Sequence, residues 1–105
     1  MSKRGKSLPS RAESLMRVLR VHLPDLRQRY GVREMRVFGS CTRGEDSDRS
    51  DVDIVVDFER TPSLLTFVDL ENELAAMLGA RVDLVMRDSL KPAIGERILA
   101  EAVRV

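Results

Sequence analysis

Two short stretches carry side chains whose types and spacing could do chemistry together. Gly39-Ser40 follows the apolar pair Val37-Phe38, and ten residues later Asp51-Val52-Asp53 opens the run Ile54-Val55-Val56-Asp57. On a strand, alternation sends Asp51 and Asp53 to one face and Val52, Ile54 and Val56 to the other. The apolar set can enter a core, which leaves two carboxylates side by side. Like charges so placed repel unless a cation lies between them, and an all-oxygen ligand set suits magnesium. Gly39 lets the backbone approach a ligand closely, while Ser40 adds a hydroxyl and an amide donor for phosphate oxygens. The pattern predicts a phosphate cradle facing a divalent-metal site.

The composition bounds what can surround such a site. At 105 residues, 43% hydrophobic and 33% charged, the chain predicts one small globular domain with one core. Lys and Arg total 18 against 17 Asp and Glu, which argues against a nucleic acid as direct substrate. The single Cys41 cannot form an internal disulfide and fits a reducing compartment. Neither a membrane-length apolar run nor a signal-peptide pattern is present, so a cytoplasmic protein is expected.

The elements that must position the site follow from periodicity and punctuation. Residues 1–9 read as a flexible basic tail with Lys3, Arg4 and Lys6. Its Gly5-Lys6-Ser7 lacks the upstream glycine and strand of a P-loop. Ser10-Arg11-Ala12-Glu13 has the capping-box pattern, and Leu15, Val18, Leu19 and His22 follow at helical spacing. Pro24 is expected to break or restart that helix, with Leu26 and Tyr30 continuing its buried face to Gly31. His22 reads as a partly buried helix residue rather than an acid–base group.

Val32–Phe38 is the expected first strand, and the connector from Cys41 to Ser50 starts as a short helix before looping through Glu45-Asp46-Ser47-Asp48. A second strand covers about Asp51–Phe58. Thr61-Pro62 is expected to cap a helix with the stripe Leu64, Phe67, Leu70, Leu74, Met77 and Leu78, ended by Gly79. In the third strand, Arg81–Met86, Val82, Leu84 and Met86 point one way and Asp83 and Val85 the other. Asp83 is thus a third carboxylate able to share the face of Asp51 and Asp53 if the strands are neighbours. Lys91-Pro92 introduces a last helix with Ile94, Ile98, Leu99 and Ala102 inward. The order helix–strand–helix–strand–helix–strand–helix predicts an α+β fold, a small mixed sheet with helices packed on it, over residues 10–105.

Each candidate has a plainer reading beside it. Asp51 could cap a turn, Gly39 could end a strand, Arg43 could sit exposed on a helix, and Asp83 could pair with Arg81 or Arg87. Cys41 suits a small space-filling role, because no histidine is positioned to activate it as a nucleophile.

Gly39-Ser40, ten residues, then Asp51-x-Asp53 resembles the signature of the DNA polymerase beta-like nucleotidyltransferase superfamily. The local sequence Phe38-Gly39-Ser40-Cys41-Thr42-Arg43-Gly44-Glu45 is similar to that of its smallest members, the minimal nucleotidyltransferases, and the resemblance extends from about Ser14 onward. Many of those are antitoxins encoded beside a HEPN-domain toxin. The resemblance implies the polymerase beta-like fold and magnesium-dependent transfer of a nucleoside monophosphate from a triphosphate. Asp51 and Asp53 would hold the metal ions (two are expected), and Asp83 would complete the metal site and help deprotonate the attacking hydroxyl. Gly39, Ser40 and neighbouring amides would hold the β- and γ-phosphates, with Arg43 neutralising them. It further implies ATP as substrate and a tyrosine of a HEPN-type RNase toxin as acceptor. Since the chain has no room for an acceptor domain, the acceptor is expected on a partner, within a homo- or hetero-oligomer. Two other readings remain: a non-catalytic module that masks a toxin by contact, and a small-molecule nucleotidyltransferase needing a partner subunit.

Overall fold

The computed structural model describes residues 9–45 and 51–105. Helix α1 spans Ser10–Tyr30 and buries Ala12, Leu15, Met16, Leu19, Leu23 and Leu26 along one side. It enters from Pro9, whose φ of −56° and ψ of 152° set the turn, and no side chain caps it. Ser10 is therefore already helical, and the expected capping box does not form. Pro24 neither breaks nor restarts the helix. Both Pro24 and Arg20, whose carbonyl loses its partner there, are exposed, so water can satisfy that carbonyl while Leu23 and Leu26 hold the helix to the core. Gly31, at φ 72°, ends α1 as expected. Val18's carbonyl accepts from His22 Nδ1 at 2.9 Å, so this histidine is tied into its own helix.

The chain continues through β1 (Val32–Phe38), α2 (Ser40–Arg43), β2 (Val52–Phe58), α3 (Leu64–Leu78), β3 (Val82–Met86), a 3-10 turn (Arg87–Ser89), α4 (Pro92–Glu101) and β4 (Val103–Arg104). The sheet order is β3-β2-β1-β4. The pair β2–β3 is parallel, whereas β1–β2 and β1–β4 are antiparallel. The expected mixed sheet is present, with β4 as an unforeseen addition. Two residues are too short to show a period, and Val103–Arg104 becomes a strand only by pairing with β1.

One face of the sheet meets α1 and α3. Val37, Val52 and Ile54 are fully buried there with Leu19 and Leu26 of α1 and Leu70 and Leu74 of α3. Val32 and Met35 both enter this core although strict alternation forbids it. A register shift between Val32 and Glu34 accommodates the extra residue. Tyr30 Oη donates to Glu73 Oε1 at 2.7 Å, and Arg29 pairs with Glu73 as well, clamping α1 to α3.

Several boundaries differ from expectation. Helix α3 is capped by Ser63, whose Oγ accepts from the Thr66 amide at 3.2 Å, rather than by Thr61-Pro62. Leu64, expected inward, is 76% exposed because it lies in the first turn, ahead of the part of α3 that meets the sheet. Ile94 of α4 is also outward, at 51% exposed. The buried residue of that helix is Gly95, which lies against Leu90 so closely that a Cβ would sit 3.3 Å from its side chain. Of the tail expected over residues 1–9 only Pro9 is described, and Asp46, Ser47 and Asp48 of the expected loop lie outside the described residues. Among the described residues no helix is long and apolar enough to cross a membrane.

The two helix starts make opposite forecasts. Ser63→Ala should lower stability by about 1 kcal/mol, the usual loss of an N-cap, whereas Ser10→Ala should change it by a few tenths at most. Urea unfolding of both variants measures the difference, and equal losses would contradict the assigned caps.

Candidate functional site

Strand register assembles the predicted residues. Phe38, the last residue of β1, pairs with Asp53 of β2. On its other side Asp53 is in register with Asp83 of β3. Directly paired residues share a face, so Asp53 and Asp83 stand side by side on adjacent strands, about 5 Å apart at the backbone. Asp51 sits just ahead of β2, exposed and outside the strand that was expected to include it. Its charge still reaches Asp53. The Asp53 carboxyl is held above the ordinary aspartate range, first by burial and then by repulsion from Asp83 and Asp51. Arg43 opposes that shift, and Glu101 adds to it.

Gly39 makes the site possible. Its φ of 84° and ψ of −159° lie in a region essentially restricted to glycine. A Cβ built on it would come within 2.3 Å of Asp53 Oδ2. The close approach predicted for this glycine is thus made first by a carboxylate of the same chain. The chain then turns sharply: Gly39's carbonyl accepts from the Thr42 amide at 3.1 Å and from Thr42 Oγ1 at 2.7 Å. Ser40 starts α2 and is half-buried. Cys41 is 1% exposed, and its thiol lies 3.8 Å from the Phe38 carbonyl, which fits the space-filling role.

Arg43 is exposed on α2 but engaged, with Nε 2.9 Å from Glu45 Oε1 and Nη1 3.1 Å from Glu101 Oε1. The Glu101 oxygen also accepts from the Gly39 amide at 3.3 Å. Glu101 was not legible as a site residue, because nothing in its local sequence separates it from any acid at a helix end. The alternative partners of Asp83 are not used: Arg87 pairs instead with Asp57 at 3.6 Å, and among the described residues Asp83 forms no ion pair. Beside Asp51 and Asp83 opens a hollow of about 360 Å³, bordered by Arg81 and by Glu71 and Asn72 of α3.

The chain matches the family profile described as a nucleotidyltransferase domain over residues 19–105. The chain belongs to the nucleotidyltransferase family. It is 55% identical over 93 residues to the protein adenylyltransferase MntA of Thermococcus cleftensis, covering 89% of this chain and 94% of that one. A solved structure provisionally named a minimal nucleotidyltransferase superposes with a TM-score of 0.75 at 38% identity, covering 88% of this chain and 94% of that chain. A complex of a tri-AMPylated Shewanella oneidensis HEPN toxin with an MNT antitoxin shares the fold, with a TM-score of 0.56 at 21% identity over 90% of this chain and 67% of that one. The minimal nucleotidyltransferase fold expected from the signature is therefore the fold of this chain.

Two measurements probe the contact between Gly39 and Asp53. Gly39→Ala should lower stability by about 1–3 kcal/mol through backbone strain, plus the clash with Asp53. In an Asp53→Ala background the same change should cost less, and an additive double-mutant cycle would contradict the close contact. Asp53 also forecasts a pH dependence. Its folded pKa is raised, so the ionised form weighs against folding at neutral pH, and that penalty vanishes below the unfolded value of about 4. Asp53→Asn should therefore unfold at a higher temperature than wild type at pH 7, with the gap closing as the pH falls toward about 4. A gap independent of pH would sink this assignment.

Proposed function

We propose that this nucleotidyltransferase is a protein adenylyltransferase that transfers AMP from ATP to a hydroxyl of a HEPN-type RNase toxin, a tyrosine, and so acts as its antitoxin. The observation that carries this reading is the register that sets Asp83 beside Asp53 at the edge of the Gly39 turn. It is supported by the 55% identity to a protein adenylyltransferase over nearly the whole of both chains. The shared fold with an MNT antitoxin bound to an AMPylated HEPN toxin agrees with it.

In this reading Gly39, Ser40 and Arg43 bind the triphosphate, with the Ser40 hydroxyl and the loop amides donating to its β- and γ-oxygens. Asp83 accepts the proton of the acceptor hydroxyl. That oxygen attacks the α-phosphorus, and the bond from the α-phosphorus to the bridging oxygen of pyrophosphate breaks in line. AMP remains on the acceptor, and pyrophosphate leaves with the displaced electron pair. The hollow beside Asp51 and Asp83 gives the acceptor side chain a way to the Asp83 carboxylate.

The residues fit magnesium. The acid face offers only oxygen donors, and burial followed by repulsion from Asp83 and Asp51 raises the Asp53 carboxyl, a repulsion that a divalent cation relieves. Among the described residues no three acidic, histidine or cysteine side chains close round a metal by themselves. Asp51, Asp53 and Asp83 would therefore share ions with substrate oxygens, as magnesium sites commonly do. When bound, magnesium supplies positive charge to the oxygens that gain negative charge in the transition state.

A nucleotide attached near an RNA-cleaving site would block substrate by bulk and by repulsion of its phosphates. Masking by contact alone makes a different forecast. Coexpression of a HEPN-type toxin from the same genome with wild-type protein should add the mass of one or more AMP groups to the toxin. The Asp51→Asn, Asp53→Asn double variant should add none and lose protection, while still unfolding in a cooperative thermal transition at or above the wild-type temperature. A double variant that still protects with no added mass would establish the masking reading instead.

A further inference from the structure

Glu101, the last residue of α4, reaches the turn that the proposed site uses for phosphate. A single oxygen, Oε1, accepts from the Gly39 amide at 3.3 Å and lies 3.1 Å from Arg43 Nη1. Both donors belong to the set assigned above to triphosphate oxygens. A carboxylate oxygen and a phosphate oxygen satisfy such donors in the same way, as anionic acceptors of charge-assisted hydrogen bonds. The contact is weakly held, because Arg43 and Glu101 are 45% and 43% exposed and exposed ion pairs contribute little. It also adds a fourth negative charge near Asp53, Asp83 and Asp51. A triphosphate brings several anionic oxygens to the same donors and can take them from a lone carboxylate.

What holds Glu101 in place is itself tied to the sheet. The Ala102 amide donates to the Ile98 carbonyl at 2.9 Å, which closes α4. The next residues form β4, which pairs with β1 through Arg36–Arg104 and Val37–Val103. The Val105 amide then donates to the Met35 carbonyl at 2.9 Å. Strand β1 runs straight into Gly39. The carboxylate, β4 and the phosphate turn therefore form one closed circuit of contacts.

We propose that Glu101 is an internal stand-in for the triphosphate, which nucleotide binding expels from Gly39 and Arg43, loosening the end of α4 and β4. Nucleotide occupancy is thereby transmitted to the C-terminal segment. The inference rests on the proposed nucleotide site and deepens it.

The test measures binding of a non-hydrolysable ATP analogue with magnesium by calorimetry, using wild type, Glu101→Gln and Glu101→Ala, with circular dichroism to verify folding. Both variants should bind about two- to fivefold more tightly, the range expected for removing an exposed competing ion pair. Hydrogen exchange supplies a second readout. In wild type the analogue should speed exchange of the amides of residues 102–105. In Glu101→Ala these amides should exchange fast already and not respond. Weaker binding by both variants would make Glu101 an organiser of the turn and overturn the proposal. So would wild-type binding that neither substitution changes, with the nucleotide site itself left standing. If none of the three proteins binds the analogue, the nucleotide reading falls and this inference falls with it.

Discussion

An oxygen of Asp53 occupies the space in which any residue but glycine would carry a side chain at position 39. Much of the site depends on that contact. It requires β1 and β2 to be paired with Phe38 opposite Asp53, so that β1 ends where the carboxylate rises from the sheet. It requires the backbone at Gly39 to leave the strand at positive φ, which turns the chain into α2 and brings Arg43 within electrostatic reach of Asp53. The core on the opposite face makes this arrangement rigid. Val37, Val52 and Ile54 are fully buried beneath it, so the turn cannot relax away without opening the core.

Electrostatics along β2 separates two acids that the sequence presents alike. Asp53 and Asp57 lie on the same face of one strand. Asp57 is 8% exposed and sits between Arg33, at 3.4 Å, and Arg87, at 3.6 Å. It ties β2 to β1 and to the turn after β3. Asp53 holds its proton more tightly, first because it is partly buried and then because Asp83 and Asp51 repel its charge. An acid held between two arginines thus stands at one end of the strand, and an acid repelled by its neighbours at the other. Between them Val55 is almost fully buried, and Leu99 of α4 borders the same crevice. Helix α4 thus borders this face of the sheet through Leu99, beside Val55 and the buried Asp57.

That position gives α4 a role beyond packing. Its end delivers Glu101 to the Gly39 turn and leads into the short strand that completes the sheet. Along the face of α4 that carries Glu101, Ile94 is half exposed, and a cavity of about 230 Å³ opens between Ile94, Arg97, Ile98 and Glu101. The segment is built from weak contacts, a two-residue strand and an exposed ion pair. Such a segment can respond to a ligand at low cost in stability.

The sequence by itself determined the order of the main elements and the core face of the second and third strands, because alternation and glycine punctuation are local signals. It also singled out Gly39, Ser40, Asp51, Asp53 and Asp83 as candidate site residues from their types and spacing. Local reasoning failed where a neighbour in space overrides the chain. Pro24 stays helical because Leu23 and Leu26 are anchored and its carbonyl partner faces water. Ile94 turns outward because Gly95 packs on Leu90, and Ser63 rather than Thr61 caps α3. The fourth strand exists only through its partner. Only the tertiary structure decided that Asp83 stands next to Asp53, since strand order is not written in periodicity. It alone brought Glu101 to Gly39, because a contact spanning 62 positions leaves no local trace in either residue's surroundings.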